Sequence, residues 1–174
     1  MAESRHGEIR WVSPDPRAII PLDGFRISRS LRQTLAKARF QVRLNTAFED
    51  VMRRCAERED TWISGEIIRA YLRLHRLGYA HSVESWAGDE LAGGLYGVAL
   101  GGAFFGESMF SRVRDSSKVA LVHLVQRLRD HRFELLDTQF ITPHLAQFGT
   151  QEIPRAEYLL LLGRAVRLRR SFVD

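Results

Sequence analysis

Cysteine is nearly absent from this sequence: Cys55 is the single one in 174 residues, so no internal disulfide can form. Paired Cys and His spacings of zinc sites are also missing. Neither is needed for stability, because a chain of this length buries roughly 70% of the surface that its unfolded form exposes. We therefore expect one domain without cofactor or metal, in a reducing compartment, with Cys55 as a packing residue.

Long hydrophobic runs are missing as well. The longest uncharged run, from Leu91 to Gly106, has 16 residues of which six are glycine, and a membrane helix needs about 20 apolar residues. The first residues, MAESRHGEIRW, carry charges of both signs and no apolar segment, which argues against a secretory signal. These features predict a cytoplasmic protein without a membrane partner, and we expect a monomer.

Positive charge is unevenly distributed, although 26 Lys and Arg against 21 Asp and Glu give a net charge of only +5. No acidic residue interrupts the chain from Arg26 to Arg43, and a second basic cluster lies beside Asp115. Each run alone is equally compatible with a solvated basic face, but two runs in one small domain favour phosphate binding. The candidate phosphate contacts are Arg26, Arg29, Arg32, Lys37, Arg39, Arg112 and Lys118.

The spacing of apolar residues predicts an α+β domain. Residues 1–25 are expected to form an irregular lead-in, because Pro14, Pro16 and Pro21 keep the residues before them extended. The predicted elements after it are a helix capped by Ser28, a strand FQVRLNT, helices over AFEDVMRRCAERE and residues 65–77, a three-stranded meander over residues 81–110, a helix over residues 118–129, a strand FELLDTQF, a helical turn PHLAQFG, a linker QEIP and a helix from about residue 155.

Two polar residues stand where the strand FELLDTQF should be apolar. Asp137 and Gln139 alternate with Leu136, Thr138 and Phe140, so we expect both to project from one face near the end of the strand. A carboxylate and an amide so placed can hydrogen-bond to the same approaching group. The alternative is structural, with Asp137 capping the next loop and Gln139 facing solvent.

An acid interrupts another apolar strand, FFGESMF, where Glu107 lies between Gly106 and Ser108. An unpaired buried charge is costly, so Glu107 should face a cavity or pair with a cation such as Arg112. A cavity lined by Phe104, Met109 and this carboxylate would suit a ligand with apolar and cationic parts, although Phe104 and Met109 could equally be core.

Several common catalytic motifs are absent from the sequence. The sequence has no GxSxG elbow, no HExxH and no P-loop. A strand followed by a loop and a helix is also the layout of acyl-CoA-dependent N-acetyltransferases, but the loop SRVRDSSK lacks the glycines that bind the cofactor. This argues against coenzyme A.

Several motifs nonetheless occur in a recognisable order across nearly all of residues 10–166: WVSPDPRA, ISRSLR, TWI, LHRLGYAHSVE, GGLYGVALG, FFGESMFSR, SSKVAL, LLDTQF and EIPR. Together they closely resemble the leucyl/phenylalanyl-tRNA–protein transferases. The resemblance implies transfer of Leu, Phe or Met from charged tRNA to proteins with N-terminal Arg or Lys, which marks those proteins for degradation. It also implies that residues 26–174 form an acetyltransferase-like (GNAT-like) domain with a central, mostly antiparallel sheet flanked by helices.

The resemblance further implies roles for individual residues. Asp137 and Gln139 would be the catalytic pair, with Gln139 accepting a hydrogen bond from the attacking amine and polarised by Asp137. Glu107, with Ser108 beside it, would meet the cationic end of the acceptor. Trp62 would stack on the terminal adenosine, an interaction worth about 1 to 3 kcal/mol per base. The pocket for the transferred side chain would be lined by Leu95, Phe104, Met109, Leu124 and Leu128.

One departure from the family concerns the N-terminus. Relatives carry a subdomain before the WVSPDPR motif, whereas only ten residues precede Trp11, so a short form is expected. Two alternatives stay open: a related acyl- or aminoacyltransferase with a different donor or acceptor, and a non-catalytic tRNA-binding module. Retention of both Asp137 and Gln139 favours an enzyme.

Overall fold

A seven-stranded sheet organises the chain in the computed structural model, which describes residues 12–58 and 61–173. The strands are β1 (Arg17–Ile19), β2 (Gln41–Leu44), β3 (Ala80–Ala87), β4 (Glu90–Leu100), β5 (Ala103–Ser111), β6 (Leu135–Gln139) and β7 (Gln151–Ile153). Their order is β2-β3-β4-β5-β6-β1-β7. In this part of the chain only β5 and β6 pair in parallel, which confirms the predicted mostly antiparallel sheet.

Six helices flank the sheet in the described residues: α1 (Arg29–Ala36), α2 (Phe48–Cys55), α3 (Gly65–Arg76), α4 (Ser116–Asp130), α5 (Pro143–Ala146) and α6 (Arg155–Ala165). The predicted cap of α1 is confirmed, because Ser28 Oγ accepts a hydrogen bond from the Leu31 amide at 3.2 Å. Helix α4 begins two residues before the predicted Lys118, since Ser116 is buried and its hydroxyl donates to the Ala92 carbonyl at 2.9 Å.

The prediction of an irregular lead-in over residues 1–25 is wrong for Arg17–Ile19, while its first eleven residues lie outside the described part of the chain. Arg17–Ile19 form β1, which lies between β6 and β7 and buries Ala18 and Ile19. The predicted linker QEIP likewise contributes β7. Strands of three residues have too little alternation to be seen locally, and prolines flank both segments. Their long-range pairing decides the outcome.

The two faces of the sheet are covered by different helices. Helix α4 packs on one face against Val83, Leu95 and Leu136. On the other face, α2 and α3 cover strands β3 to β5, and α6 covers the half that contains β6 and β1. Cys55 is the last residue of α2 and lies on its buried side, where burial raises the pKa of the thiol to about 12. Its predicted role as a packing residue is confirmed.

A helix that could cross a lipid bilayer, judged by length and apolar character, does not occur within residues 12–58 and 61–173.

Candidate active site

The site opens where two parallel strands part. Residues 103–105 of β5 are in register with residues 135–137 of β6, and beyond that point β5 continues along β4 as far as Ser111. The gap between the strands opens into a cavity of about 500 Å³. Side chains from β4, β5, β6, α4 and the segment that ends in α5 line it. A change in strand pairing therefore creates the site.

Glu107 reaches this cavity through a β-bulge. Tyr96 is in register with Ser108 and Gly97 with Gly106, so Glu107 has no partner on β4. Such a bulge redirects the side chain of the extra residue. Glu107 lines the cavity, which confirms that it faces one. The alternative ion pair with Arg112 is wrong, because Arg112 pairs with Glu57 at 3.8 Å.

The Glu107 carboxyl lies in a polar but poorly solvated corner. Burial raises its pKa to about 7, although the nearby Tyr71 hydroxyl favours the charged form. Tyr96 lies edge-on to Tyr71, with ring centroids 5.5 Å apart. Its hydroxyl is buried and has no hydrogen-bond partner among the described residues. Because buried polar groups in proteins are normally paired, this hydroxyl marks a place for a ligand or water.

Asp137 is fully buried and saturated with hydrogen bonds. Its Oδ1 accepts from Arg17 Nε at 3.0 Å and from the Gln139 amide at 2.9 Å. Its Oδ2 accepts from Arg17 Nη2 at 2.6 Å and from the Tyr158 hydroxyl at 2.8 Å. The expectation that Asp137 and Gln139 project together toward one ligand group is therefore wrong for Asp137, which does not line the cavity.

Gln139 does line the cavity, and its backbone leaves the strand conformation there. Its φ of 62° lies in the left-handed region, where a residue other than glycine is strained. Its backbone N–H donates a hydrogen bond to Asp137 Oδ1. The two polar residues of β6 thus differ in kind: one supports the backbone from behind, and the other faces the cavity.

The apolar wall of the cavity contains most of the predicted side-chain pocket. Leu95, Met109 and Leu124 line it, as predicted, and Leu121 and Leu136 join them. Ser108 and the half-buried Trp62 line it as well, and Trp62 packs edge-on to Tyr71 with ring centroids 6.3 Å apart.

Phe104 and Leu128 were predicted to line the pocket for the transferred side chain, but neither lines this cavity. Phe104 pairs with Leu136 where β5 and β6 are still joined, and its ring packs 5.2 Å from that of Phe172. Leu128 is fully buried one helical turn beyond Leu124. The cavity lies nearer the start of α4, so its lining from this helix is Ser117, Leu121 and Leu124.

Sequence reasoning missed several lining residues. His144 at the start of α5 is one, and its Nε2 is buried without a hydrogen-bond partner in the described chain. Burial lowers the pKa of His144, and the charges of Lys118 and Arg58 lower it further, which favours the neutral imidazole. Thr138 is another lining residue. The available signal was that both follow Asp137 in the chain, Thr138 directly and His144 in the next turn.

The two basic runs meet on the surface. Lys37 and Arg39 at the end of α1 and Arg114 in the loop before α4 line a second cavity of about 240 Å³. Arg26, Arg29 and Arg32 are exposed nearby in sequence. Lys118 lies 2.9 Å from the Asp115 carboxylate, so its charge is partly balanced. Runs more than 70 residues apart in the chain thus contribute to one surface.

No group of three or more potential His, Cys, Asp or Glu metal ligands occurs in the described residues. The polar side chains that line the main cavity include one carboxyl, one carboxamide, one phenol, one imidazole, the Arg58 guanidinium and several Ser and Thr hydroxyls. Such a set can bind cationic and hydroxyl groups and orient them against an apolar wall.

Comparison with known proteins gives a consistent result. The family described as leucyl/phenylalanyl-tRNA protein transferase matches residues 19–163. A leucyl/phenylalanyl-tRNA–protein transferase of Herpetosiphon aurantiacus is 58% identical over 167 residues, which cover 95% of this chain and 87% of that protein. The protein of the same name from Gloeobacter violaceus is 57% identical over 172 residues, covering 99% of this chain and 89% of that one.

A third relative of that name, from Paramagnetospirillum magneticum, is 59% identical over 163 residues, covering 91% of this chain and 78% of that protein. Among solved structures, L-PGS from Bacillus licheniformis aligns with a TM-score of 0.47 and 16% identity, over 76% of this chain and 50% of that one. That likeness is too weak to assign a fold family. The sequence matches are strong, and the family model spans every residue that lines the main cavity. The chain belongs to the leucyl/phenylalanyl-tRNA–protein transferase family of aminoacyltransferases.

Proposed function

We propose that this protein transfers Leu or Phe, or Met, from charged tRNA to the N-terminal Arg or Lys of acceptor proteins and so marks them for degradation. One observation carries the proposal within the family: a single cavity brings Gln139, Glu107 and an apolar wall together. The apolar wall suits the transferred side chain and Glu107 suits a cationic acceptor. Gln139 lies on the cavity surface where an amine could be oriented.

The reaction is aminolysis of an ester. The acceptor's α-amino nitrogen attacks the ester carbonyl carbon, a C–N bond forms, and the C–O bond to the terminal ribose breaks. The proton lost by the amine ends on the ribose oxygen, which leaves tRNA with a free hydroxyl. Gln139 accepts a hydrogen bond from the amine and orients it, because an amide is too weak a base to remove the proton.

Acceptor recognition is assigned to Glu107 and the phenols beside it. An N-terminal Arg or Lys side chain would supply the positive charge that stabilises ionised Glu107 in its poorly solvated corner. The unpartnered Tyr96 hydroxyl can accept a further hydrogen bond from a guanidinium or ammonium group.

Donor recognition is assigned to the apolar wall, Trp62 and the basic surface. Leu95, Met109, Leu121 and Leu124 would hold the transferred side chain, and Trp62 would stack on the terminal adenosine. The residues Arg29, Arg32 and Lys37 in and at the end of α1, together with Arg39 and Arg114, would contact tRNA phosphates. Arg112, Arg114 and Lys118 would contribute less, because each has an acidic neighbour.

The finer fold assignment is also a proposal. The separation of two parallel strands at the centre of a mostly antiparallel sheet supports an acetyltransferase-like (GNAT-like) domain, with aminoacyl-tRNA in place of acyl-CoA. We further propose a monomer that acts in the cytoplasm, where charged tRNA is available.

The direct test incubates the protein with radiolabelled Leu-tRNA or Phe-tRNA and an acceptor that bears N-terminal Arg. Label should appear in acid-precipitable protein and depend on the acceptor. An acceptor of identical sequence with N-terminal Ala is the matched control. Strong tRNA binding without any label transfer would contradict the proposal and favour a tRNA-binding module.

A further inference from the structure

We infer that Arg17 of β1 and Tyr158 of α6 are positioning residues for the transfer step, which hold Asp137 so that its carboxylate fixes the Gln139 backbone at the edge of the cavity. The inference rests on the proposed function, because it concerns the residue assigned to orient the attacking amine. It differs from the expected role of Asp137. There Asp137 either bound the substrate together with Gln139 or polarised the Gln139 side chain, whereas here it holds the Gln139 backbone.

The hydrogen bonds around Asp137 leave no free acceptor site. A carboxylate offers about four lone-pair directions, and Asp137 fills them with Arg17 Nε, Arg17 Nη2, the Tyr158 hydroxyl and the Gln139 amide, at distances from 2.6 to 3.0 Å. Its side chain has 0% exposure. A substrate amine therefore cannot donate to Asp137 without displacing a protein donor, and the carboxylate acts through Gln139.

The donors come from separate parts of the chain. Arg17 is 120 residues before Asp137, and Tyr158 is 21 residues after it. The Arg17 guanidinium binds the carboxylate with two parallel N–H groups and also lies over the Tyr158 ring, 4.9 Å from its centroid. Burial and the neighbouring carboxylate raise the pKa of Tyr158, so its hydroxyl remains a donor. The arrangement fixes both the position and the rotation of the carboxylate.

Gln139 needs such support. A glutamine at φ 62° is strained, and strained backbone persists only where its surroundings over-determine it. Gln139 is in register with Ala18 of β1, and the hydrogen bond from its backbone N–H to Asp137 Oδ1 adds a link to the Arg17 and Tyr158 side chains. If Asp137 could rotate, the amide would lose its acceptor. Gln139 could then relax toward an extended conformation, with its side chain redirected.

The alternative is that the arrangement only stabilises the fold by neutralising a buried acid. That role also predicts destabilised variants, since removal of one partner leaves a buried charge uncompensated. The two accounts differ in what happens to turnover in variants that remain folded. Positioning predicts a loss in kcat with little change in the KM for either substrate, whereas a structural role predicts that activity follows the folded fraction.

The experiment compares Arg17→Lys and Tyr158→Phe with wild type, well below their melting temperatures. Arg17→Lys keeps the charge but replaces the two-point contact with a point charge, so kcat should fall roughly tenfold or more. Tyr158→Phe removes one donor, and kcat should fall about threefold to tenfold. The matched control is Arg155→Lys, whose guanidinium makes an exposed ion pair with Asp15 at 3.8 Å and should leave kcat unchanged.

Hydrogen exchange of the Gln139 backbone N–H gives a readout that does not depend on activity. Exchange should be faster in both variants than in wild type and unchanged in the control, because the acceptor Asp137 Oδ1 becomes mobile. Wild-type kcat and wild-type Gln139 exchange in folded Arg17→Lys and Tyr158→Phe would overturn the inference. Should Arg17→Lys fail to fold, Tyr158→Phe decides alone.

Failure of the proposed function is distinguishable from failure of this inference. If wild type transfers no amino acid to Arg-terminated acceptors, the function is wrong, while Gln139 exchange still supports or overturns the positioning role. If wild type is active and the variants lose only stability, the positioning role is wrong and the function stands.

Discussion

The two acids on either side of the strand separation have opposite surroundings. Asp137 is enclosed by a bidentate guanidinium, a phenol and a backbone amide, and it does not reach the cavity. Glu107 lies on a bulge and faces the cavity near Tyr71, and burial raises its pKa to about 7. The first carboxylate is already compensated by the protein, whereas in the proposed function the second is compensated by the cationic acceptor.

This difference separates support from recognition. A saturated carboxylate can hold a neighbouring backbone in place but has nothing left for a substrate. A poorly solvated carboxylate favours any cation that enters its corner, because such a cation stabilises the charged form. Substitutions of the Asp137 region should therefore affect all acceptors alike, and substitutions of Glu107 should affect the choice among them.

The largest effect is expected at Gln139. Gln139→Ala should lower kcat by about 10- to 1,000-fold, because the attacking amine loses its orienting acceptor. The left-handed backbone is equally unfavourable for both residues, so the melting temperature should change little. Gln139→Gly is the matched control: it relieves the backbone strain and should be more stable yet equally slow. Near wild-type transfer by either variant would contradict the assigned role.

Asp137→Asn tests the supporting region. The substitution puts an NH2 group where a carboxylate oxygen accepted hydrogen bonds, and it leaves the Arg17 charge unpaired. It should therefore lower kcat as Gln139→Ala does and also destabilise the protein by about 3 to 5 kcal/mol. Denaturant unfolding together with kcat measurements would check both effects. A stable Asp137→Asn protein with normal turnover would show that the enclosed carboxylate is dispensable.

Glu107→Gln tests the recognising region. Losing a charge-assisted partner in a partly desolvated site costs about 1.5 to 3 kcal/mol, so the preference for Arg- over Ala-terminated acceptors should fall roughly 10- to 150-fold. Affinity for aminoacyl-tRNA should stay unchanged. The preference is measured as the ratio of kcat/KM values for the two acceptors. An unchanged ratio with equally depressed transfer to both would mean that Glu107 is structural.

The pKa of Glu107 makes a further distinction by pH. In wild type, the Arg-over-Ala ratio should increase as pH rises through about 7, where Glu107 ionises, and it should be flat in Glu107→Gln. Taking the ratio cancels the titration of the acceptor's own amine. A wild-type ratio that does not vary between pH 6 and 8 would contradict this role for ionised Glu107.

Stability should respond in the opposite direction. The folded-state pKa of Glu107 is about 7, above the ordinary 4.5, so the folded protein binds this proton more tightly than the unfolded chain. Stability from this group is therefore lost as pH rises from about 4.5 through 7. The melting temperature of Glu107→Gln should rise relative to that of wild type as pH increases across that window. Above the window, the difference between the two melting temperatures should stay constant.

The smallest effect of a single substitution is expected on the basic surface. If Lys37 and Arg39 contact tRNA phosphates, each neutralising substitution should reduce the slope of log affinity against log salt by roughly 0.7 to 0.9. Arg53→Ala on α2 is a control, since Arg53 is paired with Glu49 within its own helix. An unchanged slope for Lys37 and Arg39 variants would assign this surface to solvent.

Local patterns predicted the parts of the fold that depend on local chemistry. The Ser28 cap, the meander and helix α4 follow from side-chain type and periodicity, and polar residues in apolar strands indicated Glu107 and Gln139. What failed depends on distant pairing. Arg17 meets Asp137 across 120 residues, and no nearby residue signals that contact.

The extent of the cavity was equally hidden, because it depends on where β5 leaves β6. Phe104 lies where the two strands are still paired, and both Phe104 and Leu128 are fully buried. Hydrophobicity identifies both as interior residues, but it cannot distinguish a cavity wall from a filled core.

The division between support and recognition is tested most directly by one measurement: single-turnover transfer to matched Arg- and Ala-terminated acceptors by wild type, Tyr158→Phe and Glu107→Gln. The account predicts that Tyr158→Phe slows both reactions by the same factor, whereas Glu107→Gln selectively slows the reaction with Arg and collapses the ratio. If Tyr158→Phe changes the ratio, or Glu107→Gln preserves it, the two acids do not have the separate roles assigned to them.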